Sequence, residues 1–254
     1  MADSILTVRD LTLGYGGEPV LQGVDLSVST GEFASLVGPS GSGKSSVLRA
    51  ITGLQRQDAG DIQLDVDRDH LGILFQDDAL LPWRTVRQNV ALGLRIRGTS
   101  RTAAEERADT WLERLGLQGL GDRFPRKLSG GQRKRVALAQ VLALQPRLLL
   151  MDEPFASLDA IVRRRITQDL LQWVERERLT VLMVTHDLEE ALSLSDTVHL
   201  LARGPRASIR NSLPVPIPRP RDLVEVRAHP AFTPLLRQLW NGMADEVEPN
   251  LVSA

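Results

Sequence analysis

Between an apolar run, Phe33 to Val37, and a stretch of helical spacing, Lys44 to Leu54, the chain reads Gly38-Pro39-Ser40-Gly41-Ser42-Gly43-Lys44-Ser45. This G-x-x-x-x-G-K-S loop constrains the fold more than any other feature, because its chemistry works only between a strand and the start of a helix. Glycines are needed where backbone N–H groups converge on phosphate oxygens, since a Cβ would obstruct the approach or forbid positive φ. Lys44 can reach the β- and γ-phosphates, Ser45 can offer its hydroxyl to Mg²⁺, and the following helix directs its positive end at the anion. The plain alternative is a flexible glycine turn, which the flanking strand and helix argue against. Residues Gly38, Pro39, Ser40, Gly41, Ser42, Gly43, Lys44, Ser45 and Ser46 are therefore candidate contacts of ATP.

At 254 residues the chain can bury a full core as one large domain, or as one domain with a lobe. It contains no cysteine, so disulfides, thiolate nucleophiles and cysteine metal sites are excluded. Its 31 basic residues against 32 acidic ones remove the long-range field of a duplex-binding protein, and no nucleic-acid partner is expected. The N-terminus has no basic region followed by an apolar core, and no apolar run approaches the ~20 residues needed to cross a bilayer. The chain is expected to be cytoplasmic and to meet a membrane only through a protein partner.

Residues 5 to 13 and 24 to 28 alternate apolar and polar, which predicts an antiparallel sheet at the start. Thr102 and Glu105 have capping-box spacing, and Ala104, Ala108, Trp111, Leu112 and Leu115 share one helical face, so a helix is predicted over 103–116 within a helical lobe of about 77–145. Leu148 to Met151 and Val181 to Val184 are apolar without alternation, as parallel strands covered on both faces are. The fold class is α/β. Prolines at 214, 216, 218 and 220 predict an extended connection outside the core, dividing a domain of residues 1–205 from a proline-rich and helical tail, 206–254.

Asp152 and Glu153 fall at the carboxyl end of a buried strand, where ligands of open α/β sheets sit. Asp152 is placed to hold Mg²⁺ and Glu153 to polarise a water attacking the γ-phosphate; a solvated turn is the bland reading. Ser129-Gly130-Gly131-Gln132 has capping-box spacing and opens a helix. Its free N–H groups would form a second anion site, which makes sense if two copies face head-to-tail, although spacing alone does not establish that arrangement. Arg133, Lys134 and Arg135 read as a solvated helix face.

With these pieces in place, the chain resembles the ATP-binding cassette subunits of membrane transporters, from about Leu6 to about Gly204. The resemblance implies a P-loop ATPase fold with an antiparallel β subdomain and an α-helical lobe. It also implies that two cassettes sandwich two ATP. By the same resemblance Tyr15 stacks on adenine and Gln76 senses Mg²⁺ and the γ-phosphate. Leu128 to Gln132 is similar to the family signature, so that Ser129, Gly130, Gly131 and Gln132 reach the ATP of the opposing subunit. Ala156-Ser157-Leu158-Asp159 resembles the loop that crosses the dimer, and His186 the switch histidine. Glu153, His186 and Gln76 are then the catalytic set, and Ser45, Gln76 and Asp152 the Mg²⁺ set. For Tyr15 and His186 taken singly, a packing residue and a satisfied polar group are the alternatives.

Gln76 to Trp83, then Val86, Asn89, Val90 and Gly93, resemble the importer branch for taurine, aliphatic sulfonates, nitrate and related solutes, as does Pro218 to Asp222. That implies a peripheral ATPase on the cytoplasmic face of the membrane, working with a second copy of itself, integral permease subunits and, indirectly, a solute-binding protein. Leu80, Leu81 and Trp83 become candidate permease contacts, with burial in the helical lobe as the alternative. Gln140-Val141-Leu142 and Ala202 to Pro205 depart from the family pattern. The alternatives of another class are a soluble cassette acting on nucleic acid or ribosomes, an export ATPase, and a module that binds ATP without hydrolysing it.

Overall fold

The computed structural model describes residues 3–156 and 158–244. Strands β1 (Ser4–Leu13) and β2 (Leu21–Ser29) pair antiparallel, as their alternation predicts. Strand β3 (Phe33–Val37) leads through the glycine loop into α1 (Lys44–Ile51), and β4 (Ala59–Leu64) completes a three-stranded sheet in the order β2-β1-β4. After β5 (Leu71–Leu74) come the three lobe helices α2 (Val86–Ile96), α3 (Arg101–Arg114) and α4 (Gly130–Leu142). The chain continues with β6 (Leu148–Asp152), α5 (Ala160–Glu177), β7 (Thr180–Thr185), α6 (Leu188–Leu194) and β8 (Thr197–Leu201). It closes with β9 (Ile209–Pro214), α7 (Glu225–Ala228) and α8 (Phe232–Ala244). The second sheet has the order β5-β6-β7-β3-β8-β9, parallel except for β9.

The pleat of that sheet divides its strands between two cores. Phe33, Leu149, Met151, Val181 and Met183 face the lobe helices and α5, while Ala34, Leu36, Leu148, Leu150, Leu182 and Val184 face α1 and the antiparallel sheet. This is why β3 and β7 are buried along their whole length. Between α3 of the lobe and α5, the rings of Trp111 and Trp173 lie 4.4 Å apart, tilted by 36°, with the Arg114 guanidinium over both.

Three expectations change. The cap of α3 is Ser100, whose hydroxyl accepts from the Ala103 N–H, so the helix starts before Thr102 and that pair forms no box. The sheet crosses the expected boundary at residue 205, because β9 pairs with β8. The proline-rich segment is also not outside the core: Val215 and Ile217 are buried, and Arg219 and Arg221 both bind Asp196, whose Oδ2 accepts the Phe33 N–H as well. Residues 245–254 of the expected tail lie outside the described residues.

Candidate active site

The loop from β3 to α1 needs glycine at two positions for different reasons. At Gly43, φ is +94° and a Cβ would come within 2.7 Å of Leu21; at Gly38 a Cβ would meet the Leu201 carbonyl at 2.7 Å. Gly43 is also the N-cap of α1, and no side chain caps that helix, which leaves its first N–H groups free to meet an anion. Lys44 is almost fully buried, and its Nζ donates to the Gly38 and Pro39 carbonyls at 2.9 and 2.8 Å. Burial lowers its pKa, with Glu153 and Asp152 pulling the other way. Ser42 points inward: the residue is fully buried, its hydroxyl has no partner, and it does not line the cleft.

At the end of β6, Asp152 Oδ1 accepts from the Ser45 hydroxyl at 2.9 Å. Glu153 follows in a left-handed conformation, φ +45°, held by its N–H bond to the Val184 carbonyl. A strained backbone at this point turns the carboxylate into the cleft rather than along the strand. Both of its oxygens accept from His186 Nδ1, at 2.9 and 2.7 Å. His186 stands between β7 and α6, where the Thr185 hydroxyl donates to Glu190 and accepts from the Asp187 N–H, while Asp187 caps α6. The Glu190 carboxyl therefore bonds Thr185 rather than the N-cap N–H that a full capping box would use. Burial pushes Glu190 up to about 7.

These elements enclose a cleft of about 500 Å³ lined by Tyr15, Val20, Ser40, Gly41, Gly43, Lys44, Ser45, Ser46, Gln76, Glu153 and His186. Tyr15 is held at its mouth by a 2.8 Å bond to Ser46 and by Asp58, which accepts the N–H of Gly14. Val20, absent from the sequence reading, adds apolar surface beside the tyrosine.

Ser129, Gly130, Gly131, Gln132 and Asp159 do not line this cleft. Ser129 and Gln132 form the predicted reciprocal capping box, and Asp159 caps α5. The two helix starts are packed together, since a Cβ on Gly131 would fall 2.4 Å from Val162. Ser157 lies outside the described residues. Of the candidate permease contacts, Leu80 is partly buried against the lobe core, Leu81 is half-buried, and Trp83 is 71% exposed. The buried Asn89 amide presents this segment by bonding the Leu81 N–H and the Leu81, Arg84 and Thr85 carbonyls.

Among the described residues no helix is long and apolar enough to cross a membrane. A bicarbonate transport ATP-binding protein of Synechocystis is 42% identical over 93% of this chain, which spans only 36% of that longer relative. An aliphatic sulfonates import ATP-binding protein of Corynebacterium glutamicum is 43% identical over 92% of this chain and 91% of its own length. A dimeric structure of the cassette MJ0796 in a post-hydrolysis state, bound to ADP and Pi, superposes with a TM-score of 0.73 at 31% identity, covering 83% of this chain and 98% of that one. The family described as ABC transporter matches residues 21–156, and with these relatives the chain belongs to that family, with the α/β fold of its ATPase cassettes.

Proposed function

We propose that this chain is the ATP-hydrolysing subunit of an importer for a small anion of the sulfonate, nitrate or bicarbonate kind. The observation that carries the ATPase reading is the convergence of Lys44, Ser45, Glu153 and His186 on one cleft, with Asp152 bonded to Ser45, from three separate stretches of sequence. Adenine lies on Tyr15 beside Val20, and the phosphates meet the loop N–H groups and Lys44. Ser45, Asp152 and Gln76 would hold Mg²⁺, since a hydroxyl, a carboxylate and an amide carbonyl are the oxygen donors such an ion takes, and Ser45 and Asp152 already meet at 2.9 Å. Bound there, the ion would supply positive charge against the phosphate oxygens.

Glu153 accepts a proton from the attacking water, and His186, within reach of the same carboxylate, orients it and faces the γ-phosphate. Ser129 to Gln132 and Asp159 lie at paired helix starts outside the cleft, which supports their use against the nucleotide of a second copy placed head-to-tail. Closure of that pair would drive a permease through the Leu80–Trp83 segment. The solute class rests on the bicarbonate and sulfonate relatives named above and on a nitrate import ATP-binding protein of Synechococcus elongatus, 41% identical over 94% of this chain and 37% of its own length, and the cytoplasmic face of the membrane and an external solute-binding protein follow with it.

Glu153→Gln should retain ATP affinity and nucleotide-dependent dimerisation while turnover falls on the order of 10³-fold, because water activation is lost and the phosphate cradle is not. Release of phosphate at near wild-type rate by that variant would remove Glu153 from the role.

A further inference from the structure

The basic run Arg133–Arg135 is not the solvated face its sequence predicts. Lys134 is 1% exposed, on the first turns of α4, and its Nζ donates to the carbonyls of Phe75 at 3.3 Å and Gln76 at 3.1 Å. It also pairs with Asp78 at 3.6 Å, while Arg133 pairs with the other oxygen of Asp78 at 3.4 Å and donates to the Leu128 carbonyl at 2.9 Å. A single ionic cluster thus joins the start of α4 to the segment that follows β5.

Strand β5 is the edge of its sheet, residues 75–79 leave it without regular structure, and Ala79 takes a positive φ of +51°. An apolar side chain would fill the site of Lys134 with less desolvation cost, so burying an ammonium here secures direction rather than packing. Burial indeed lowers its pKa, opposed chiefly by Asp78. On one side of the cluster the Gln76 side chain lines the nucleotide cleft; on the other, α4 opens with Ser129–Gln132, outside that cleft.

We propose that Lys134 is a positioning residue that fixes the main chain of Gln76 to the start of α4, so that nucleotide at one site sets the geometry offered to the other site of the dimer. This rests on the head-to-tail reading above. Lys134 itself touches neither nucleotide.

The test measures steady-state ATPase of the full chain against ATP concentration, together with nucleotide affinity from a fluorescent ATP analogue and the melting temperature. Wild type should show a Hill coefficient above 1. Lys134→Met, which keeps the apolar stem, should lower kcat about tenfold and bring the Hill coefficient to about 1, with affinity within about twofold. Lys134→Arg, which restores charge and donors, should recover most of both. If Lys134→Met is too unstable to assay, Asp78→Asn opens the cluster while leaving the lysine, and the Hill coefficient should again fall. Variants with wild-type kcat and Hill coefficient would overturn the proposal. A wild-type Hill coefficient of 1 would overturn the coupling and this inference with it, whereas failure of Glu153→Gln to dimerise with ATP would overturn the head-to-tail reading.

Discussion

Lys44 and Lys134 solve the same problem in two regions of the molecule. Each is a buried lysine whose Nζ donates to two consecutive main-chain carbonyls of a segment leaving a strand, Gly38–Pro39 in one case and Phe75–Gln76 in the other. They differ in what opposes them. Lys44 faces Asp152 and Glu153 beside a cleft, where its charge remains available to an anion; Lys134 is closed in beside Asp78 and meets only protein. Identical bonding therefore serves binding where a cavity adjoins it and alignment where none does.

The largest effect expected from breaking this parallel is on affinity. Lys44→Met should weaken ATP binding on the order of 100-fold, since charge-assisted bonds to phosphate are lost in a water-poor site, whereas Lys134→Met should not. Equal losses in equilibrium titrations of the two variants would mean that Lys134 is part of the binding site. A smaller effect belongs to the neighbouring segment that Asn89 presents. Trp83→Ala should weaken recovery of the chain with the proposed permease about tenfold while leaving nucleotide affinity unchanged. Unaltered recovery from detergent-solubilised membranes would leave the exposed indole without that role.

The smallest effect concerns a partly buried carboxyl, Glu190, which accepts from Thr185 next to His186. With its native value near 7 against an ordinary 4.5, the folded protein holds a proton that the unfolded chain releases, so its contribution falls as pH rises from 4.5 to 7. His199, pushed down by burial to about 4 from 6.5, does the opposite, contributing more as pH rises from 4 to 6.5. The two oppose each other over their shared range. Glu190→Gln should remove the falling limb, so that its melting temperature climbs more steeply between pH 4.5 and 6.5 than that of wild type. Parallel profiles for the two proteins would show that Glu190 does not titrate as its burial implies.

The difference between the two lysines also explains how much of the molecule was legible in advance. Lys44 could be read because the main chain around it must be glycine at positions where a Cβ would strike Leu21 or Leu201, and such demands leave a pattern in sequence. Lys134 could not, because its acceptors are main-chain carbonyls, which every residue has, reached across a separation of 58 or 59 positions. The strands read directly, β1, β2, β3, β6 and β7, were those with clean alternation or unbroken apolar runs. Strand β4 is mostly exposed, with Gly60 and Asp61 in it, and β9 has only Leu213 buried before the prolines, so neither period stood out. Glu153 and His186 were legible as positions at strand ends, but the positive φ that aims Glu153 is a property of the fold around it.

The tilted indoles of Trp111 and Trp173 have an optical consequence. One rides on the helical lobe and the other on α5, beneath a shared guanidinium, so their transition dipoles are coupled at van der Waals range. Any rotation of the lobe that separates them would alter the exciton signal in near-ultraviolet circular dichroism and the quenching of their emission. The molecule thus carries, without a label, its own gauge of subdomain displacement.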